Sequence, residues 1–448
     1  MIRNRLLAAS VFAAMIVPTT AMATNGYFMM GNGTKANGRA GVGIAIADSA
    51  ISGADNPAAM VRVGNRVDFG VQVFDPDRKA TITGNGGFNT PGGPTGSLNY
   101  NDTGNKDGPF YIPEGGFNYM LSNDMSIGLT VVGTGGMNTS YDNLGLFNAA
   151  AAFGAQTSTG INLEQVRILP TLSYKINNQH SVGISLQVAY QQFKAWGLDN
   201  FKASGGPLTG QVSSVPNRLS GKGRDDAWGF GVSVGWQGSF MDDRLTVGLV
   251  YNSEIDMDEL DQYRGLFAEQ GNLDIPENYG IGIAFKATDQ LLLGFDVQQI
   301  NFSDVRSIGN DIQSGPNNSG ANLFNPAFYL GNNNGSGFGW DDMTIYKLGA
   351  EYQWNKNLTL RAGYSHADQP IAKSQTMFNI LAPATIEDHG TIGMTYSLPG
   401  GSEISMFYMH AFEEKVNGQN SIPAAFGGGE ADIKMNQNAF GIAYGWNF

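Results

Sequence analysis

The sequence predicts an all-β fold: a 14-stranded antiparallel transmembrane β-barrel with an N-terminal hatch that plugs the lumen. Three observations lead there. Bulky apolar residues alternate with Gly, Ser, Thr, Asn or Gln along one short run after another, tight connections alternate with long ones, and a glycine-rich coil precedes the first run.

The chain opens with a secretory leader. Arg3 and Arg5 form a basic region, Leu6 to Val17 an apolar one, and Ala21-Met22-Ala23 a small-x-small cleavage site, so residues 1–23 are read as a signal peptide and Thr24 as the mature start. The apolar run ends at Pro18 and is short of the roughly 18 residues that a membrane-spanning helix needs. No such run occurs later, which excludes a helical membrane protein.

Residues 24–60 follow, rich in glycine and without helical or strand periodicity. A segment of this kind is ordered only if something surrounds it. It is read as a hatch of its own, with residues 61–448 forming the barrel and its long extracellular loops.

Strands are predicted near 66–74, 109–120, 125–137, 162–176, 180–193, 227–237, 244–254, 277–287, 291–301, 344–354, 358–366, 388–398, 402–412 and 435–448. In the run Trp228, Phe230, Val232, Val234, Trp236 the intervening residues are Gly229, Gly231, Ser233 and Gly235, which a strand places on the opposite face. A soluble sandwich would carry Lys, Glu and Asp on its second face; this chain carries small and neutral polar residues there. Tight links such as 122–124, 177–179, 241–243, 355–357 and 399–401 alternate with long ones such as 75–108, 194–226 and 302–343. Short turns on one side and long loops on the other mark a barrel of the bacterial outer membrane. The last strand puts Phe440, Ile442, Tyr444, Trp446 and Phe448 on one face, which resembles the C-terminal signal read by the barrel-assembly machinery.

Composition narrows the function. Cysteine is absent, so stability does not come from disulfides. The formal charge is −13, and removal of the leader makes it more negative; without clustered Lys and Arg, nucleic acid is excluded as a partner. An acidic surface is compatible with cation-bridged lipopolysaccharide and outer-membrane lipid. The four histidines, His180, His366, His389 and His410, show no metal-binding spacing, and Ser405 and His410, five residues apart in one strand, face opposite sides. No catalytic residue, metal or cofactor is predicted.

The mature chain as a whole resembles the FadL family of outer-membrane transporters for long-chain fatty acids and other hydrophobic compounds. The resemblance rests on Gly38-Arg39-Ala40, Ala45-Ile46-Ala47-Asp48 and Asn56-Pro57-Ala58 in the hatch, then Trp228-Gly229-Phe230-Gly231, Pro276-Glu277 and 357–363, in that order along one chain. It implies capture of a hydrophobic ligand by extracellular loops, binding in a lumen pocket, and hatch movement that opens a path through a gap in the wall at a kinked third strand. The chain departs from the best-known members in its loops.

Residues follow from this. Asn56, Pro57 and Ala58 are the hatch gate. Gly133, Gly135 and Gly136 mark the third-strand kink, or else a strand end entering a loop. Leu260, Tyr263, Leu266 and Phe267 give one apolar face to a predicted short helix within 259–270 and form a loop capture groove, with 144–153 as a second candidate; either can instead pack the loop onto the rim. Phe28, Met29 and Met30 are assigned to the inner pocket, or wedge the plug. Arg167, Lys347 and Arg361 share the lumen phase and are candidates for the ligand's carboxylate; Asp68, Asp296, Glu351 and Glu403 are alternative partners for them. On the lipid face such charges would cost about 2 to 4 kcal/mol. Ten buried methylenes offer roughly 8 kcal/mol, or about micromolar affinity.

The leading expectation is thus a passive, ligand-gated outer-membrane transporter that acts as a monomer. A diffusion porin for polar solutes and a surface adhesin or receptor are the alternatives.

Overall fold

A computed structural model describes residues 24–88, 96–202 and 210–448. The predicted leader, 1–23, lies outside the described residues. Fourteen strands form the barrel: β1 Arg66–Thr83, β2 Phe110–Met120, β3 Met125–Asp142, β4 Ser158–Lys175, β5 His180–Trp196, β6 Asp225–Phe240, β7 Leu245–Asn252, β8 Asn278–Lys286, β9 Leu291–Ile300, β10 Met343–Gln353, β11 Leu358–Ala367, β12 Asp388–Ser397, β13 Ser402–Val416 and β14 Glu430–Asn447. Each pairs antiparallel with its sequence neighbours, and β14 closes on β1 from Arg66 opposite Asn447 to Thr83 opposite Glu430. Two shorter strands, Tyr100–Thr103 and Asp256–Met257, lie beside β1 and β6 outside this ring. Among the described residues no helix is long and apolar enough to cross a membrane; strands make the crossing.

Burial is inverted relative to a soluble protein. Ile184 and Leu186 on β5 are 48% and 46% exposed, whereas Ser181, Ser185 and Gln187 between and beside them are buried. That arrangement is stable only with lipid outside and polar packing inside, as the alternation requires. All six tight turns, at 121–124, 176–179, 241–244, 287–290, 354–357 and 398–401, fall at one end of the barrel, and the long connections at the other. Several strands, among them β1, β3, β4 and β14, run 18 residues, longer than predicted, because they continue past the bilayer into the loop end. The terminal aromatics face outward, and Phe448 stacks on Phe117 of β2 with ring centres 5.9 Å apart.

Residues 24–63 lie against the inward side chains of the ring. They are almost wholly buried although they hold only short helical turns, such as Thr34–Asn37, Pro57–Ala59 and Met60–Val63. Buried backbone needs partners, and the strands supply them: Asp296 of β9 accepts from the Gly43 and Ile44 amides at 2.8 and 3.1 Å, Asp68 of β1 from the Ala50 amide at 2.7 Å, and Glu114 of β2 from the Thr34 amide at 2.9 Å.

Candidate functional site

Ion pairs fix the inner segment first. Arg39, fully buried, bonds to Asp48 and to Glu351 of β10, both at 2.7 Å, and Arg361 of β11 reaches the same Glu351 oxygen at 2.7 Å. Lys35 and Arg66 converge on Glu403 of β13, and Arg66 also pairs with Asp68 at 2.8 Å. The four acidic residues anticipated in the lumen therefore do serve as partners, but chiefly for Lys35, Arg39, Arg66 and backbone amides.

Asn56 is the most heavily bonded side chain of the segment. Its Oδ1 accepts from the Ala58 amide at 3.0 Å, capping the turn that Pro57 begins, and its Nδ2 donates to the carbonyls of Ile44 at 2.9 Å, Trp236 of β6 at 3.2 Å and Leu249 of β7 at 3.3 Å. The wall has to come close for this: a Cβ at Gly235 would lie 2.0 Å from Asn56 Oδ1. Asn56-Pro57-Ala58 thus joins segment to wall.

A cavity adjoins it at Ile44 and Asp55. Five of the six predicted pocket residues, Phe28, Met29, Met30, Arg167 and Lys347, line it, with Asp55, Asn252, Asn278, Gln298 and Thr134 among its other walls. Arg167 of β4 is bonded to Gln187 Oε1 at 2.8 Å, and its Nε has no partner. Lys347 Nζ donates to the Met30 carbonyl at 2.8 Å and to Gln298 at 2.9 Å. Among the described residues neither makes an ion pair; both are held by neutral acceptors. Arg361 departs from the expectation. It has the lumen phase but sits directly opposite Glu351 in register, and that carboxylate with Thr395 Oγ1 at 2.6 Å absorbs it away from the cavity.

The third strand carries the predicted irregularity within its length, not at its end. The β3–β4 register shifts between Gly133 and Gly135, leaving Thr134 as an extra residue, and pairing of β3 with β2 stops at Val132. The freed edge does not go unbonded. Met29 N donates to Thr134 O at 3.1 Å, Gly136 N to Tyr27 O at 3.0 Å, and Ser140 N to Gly104 O at 3.0 Å. Chain from the inner segment stands where β2 would have continued, so close that a Cβ at Gly135 would lie 2.6 Å from Tyr27 O.

The loops hold a second, largely apolar cavity. Leu266 and Phe267 line it, as does Phe147 from the second predicted segment, facing Phe193, Phe201, Phe378 and Leu381. The helix predicted within 259–270 is not formed. Asp261–Tyr263 is a single 3₁₀ turn, and Glu269 and Gln270 take left-handed φ of 55° and 64°. Leu260 and Tyr263 are fully buried away from the cavity: Tyr263 packs on Phe193, ring centres 4.8 Å apart, and donates to Gly223 O at 2.5 Å, which fixes the fold of the loop instead of a helical face. Burial raises its hydroxyl above the ordinary value, so it remains a neutral donor.

Sequence reasoning missed the ring cluster beside Phe28. Tyr27, Phe302 and Trp340 pack with centres 5.2 to 6.0 Å apart. They come from the inner segment and one long loop, so no periodicity could join them. Gln298 was within reach, because it shares the phase of Asp296.

Comparison with known proteins follows the same lines. The chain is 24% identical over 413 residues to a long-chain fatty acid transport protein of Escherichia coli, covering 83% of each. Its fold is similar to the crystal structures of the Pseudomonas putida toluene transporter TodX and of a Pseudomonas aeruginosa FadL homologue, each with a TM-score of 0.65 at 17% identity, covering 94% and 96% of this chain and 99% and 100% of theirs. The model of the family described as outer membrane protein transport protein (OMPP1/FadL/TodX) matches residues 11–448. This chain belongs to that family and is a transporter of hydrophobic compounds in the Gram-negative outer membrane, a channel and not an enzyme.

Proposed function

We propose that the cargo is a long-chain fatty acid or a related hydrophobic carboxylate, taken up without an energy source. The observation that carries this is the pair of buried cations, Arg167 and Lys347, that line one cavity with Phe28, Met29 and Met30 and make no ion pair among the described residues. A carboxylate would relieve both charges while thioethers and rings take the chain. A neutral hydrocarbon would leave both without an ion pair, their charge offset only at longer range by Asp55 on the same wall and by Asp296.

The route begins at the loop cavity, where an apolar chain loses contact with water, and continues to the inner cavity. Residues 24–60 act as the hatch, with Asn56-Pro57-Ala58 as its joint to the wall. Release is sideways, between β2 and β3 beyond Val132, where the wall is completed by hatch backbone and not by a neighbouring strand. A diffusion porin needs an open lumen, and residues 24–63 occupy this one.

The test is binding by the purified protein of a saturated fatty acid, the alcohol of equal length, and toluene. Tighter binding of the acid, abolished in an Arg167→Met, Lys347→Met double variant, supports the reading. Equal affinity of wild type for acid and alcohol sinks it and favours a neutral cargo, for which the cluster of Tyr27, Phe28, Phe302 and Trp340 would be the site.

A further inference from the structure

A third, narrow space lies where β2 and β3 have separated, between Phe74 of β1, Met137 of β3, Met435 of β14 and Trp340. One charge faces it. Arg78 of β1 is 2% exposed, and its guanidinium makes four hydrogen bonds against five N–H donors: Nη1 to Asn138 O at 2.9 Å and Oδ1 at 3.2 Å, Nη2 to Asp107 O at 3.1 Å, and Nε to Asn105 Oδ1 at 3.2 Å. Every acceptor is neutral, and among the described residues Arg78 makes no ion pair.

The acceptors are informative. Asn138 belongs to the stretch of β3 that β2 no longer pairs, so its carbonyl would be an orphan of the kind a membrane wall does not tolerate. Arg78 satisfies it and at the same time ties β3 to the 105–107 segment, bolting the gap shut. A neutral donor would do that work. A guanidinium does more: it stays charged in this setting and its planar fork matches a carboxylate better than it matches two separate amide carbonyls. The space is next to the inner cavity. Trp340 touches Tyr27 at 6.0 Å between ring centres, and Tyr27 touches Phe28 at 5.2 Å.

We propose that Arg78 and the space it faces form a second binding site for the anionic head group of the cargo, at the gap in the wall. It rests on the carboxylate reading above. A carboxylate arriving there takes the guanidinium from Asn138 and Asp107, which binds the head group and unbolts the edge of β3 in one step. Arg167 and Lys347 then hold the cargo, and Arg78 receives it at the exit.

The experiment measures initial uptake of a fatty acid and of the alcohol of equal length in cells carrying wild type, Arg78→Met or Arg78→Lys, with barrel assembly followed by heat-modifiable mobility. The acid-to-alcohol uptake ratio is expected to fall about tenfold in Arg78→Met, the loss of one charge-assisted bond, and to be largely restored in Arg78→Lys. An unchanged ratio, even with both rates lowered together, makes Arg78 a brace of the wall only and overturns the proposal. If the methionine variant does not assemble, Arg78→Gln, which keeps a donor for the Asn138 carbonyl without the charge, carries the same readout. A wild type with no preference for the acid overturns the carboxylate reading as well; a wild type that prefers it, with variants that keep the preference, overturns the Arg78 site alone.

Discussion

Replacing Asn56 with alanine tests whether residues 24–63 are docked on the wall through this side chain. The variant loses the cap on the Pro57–Ala59 turn, worth about 1 kcal/mol, and three donations from Nδ2. Ile44 O keeps Gln237 Nε2 at 3.0 Å, and the bonds to Trp236 and Leu249 are long, so together these three add about 1 kcal/mol more. The total of about 2 kcal/mol multiplies the undocked population of the segment by about 30. Hydrogen exchange followed by mass spectrometry reads this directly. Amides of Ile46, Ala58 and Ala59 should exchange about 30-fold faster, with those of β6 and β7 unchanged. A rise confined to Ala58 would show that the segment is held independently of Asn56, and a rise spread over the barrel would show that Asn56 supports the wall and not the segment.

Other perturbations follow from the same geometry. Arg39→Met leaves Asp48 without its main partner in a buried site and should weaken protection of residues 33–50 by about 3 kcal/mol, with Arg361 keeping Glu351 paired; exchange of those amides measures it. Gly135→Val drives a side chain into Tyr27 O and should displace 27–29 from β3, lowering fatty acid uptake while the barrel still assembles; uptake equal to wild type would refute the wall-gap route. Leu266→Asn places an amide in the loop cavity and should weaken capture of a fluorescent fatty acid by about tenfold at unchanged thermal stability, since Leu266 is only partly buried.

The ring of strands was legible because lipid and lumen impose opposite demands on alternate residues. Val182, Ile184 and Leu186 against Ser181, Ser185 and Gln187 state that demand in seven positions, and the fourteen predicted runs match the fourteen observed strands. Period two also sorts charges onto the inner face, and Arg167 and Lys347 do lie there, on the wall of one cavity. The phase gives a face and not a depth or a neighbour. Arg361 obeys it, yet its carboxylate partner comes from the strand beside it, and register across strands decides whether a lumen charge is spent on the wall or left for a ligand.

The loops failed for a related reason. Apolar spacing in 259–270 fits a helix, but Tyr263 is bonded to Gly223 and packed on Phe193, contacts to distant segments that hold a compact irregular loop instead. Phe147, Leu266 and Phe378 meet in one cavity although more than a hundred residues separate each from the next, a distance over which no local pattern carries information.

By itself the sequence determined what each face of each strand must touch, and hence a barrel in an outer membrane with a glycine-rich segment inside it, because transfer of side chains between lipid, water and protein is a local property of residue and period. Only the tertiary structure decided which charges are paired, where β2 and β3 part, and what stands between them: Glu351 with Arg39 and Arg361, the β3 edge with Tyr27, Met29 and Arg78. Those are relations between segments distant in sequence, fixed by register and close approach once the ring has closed.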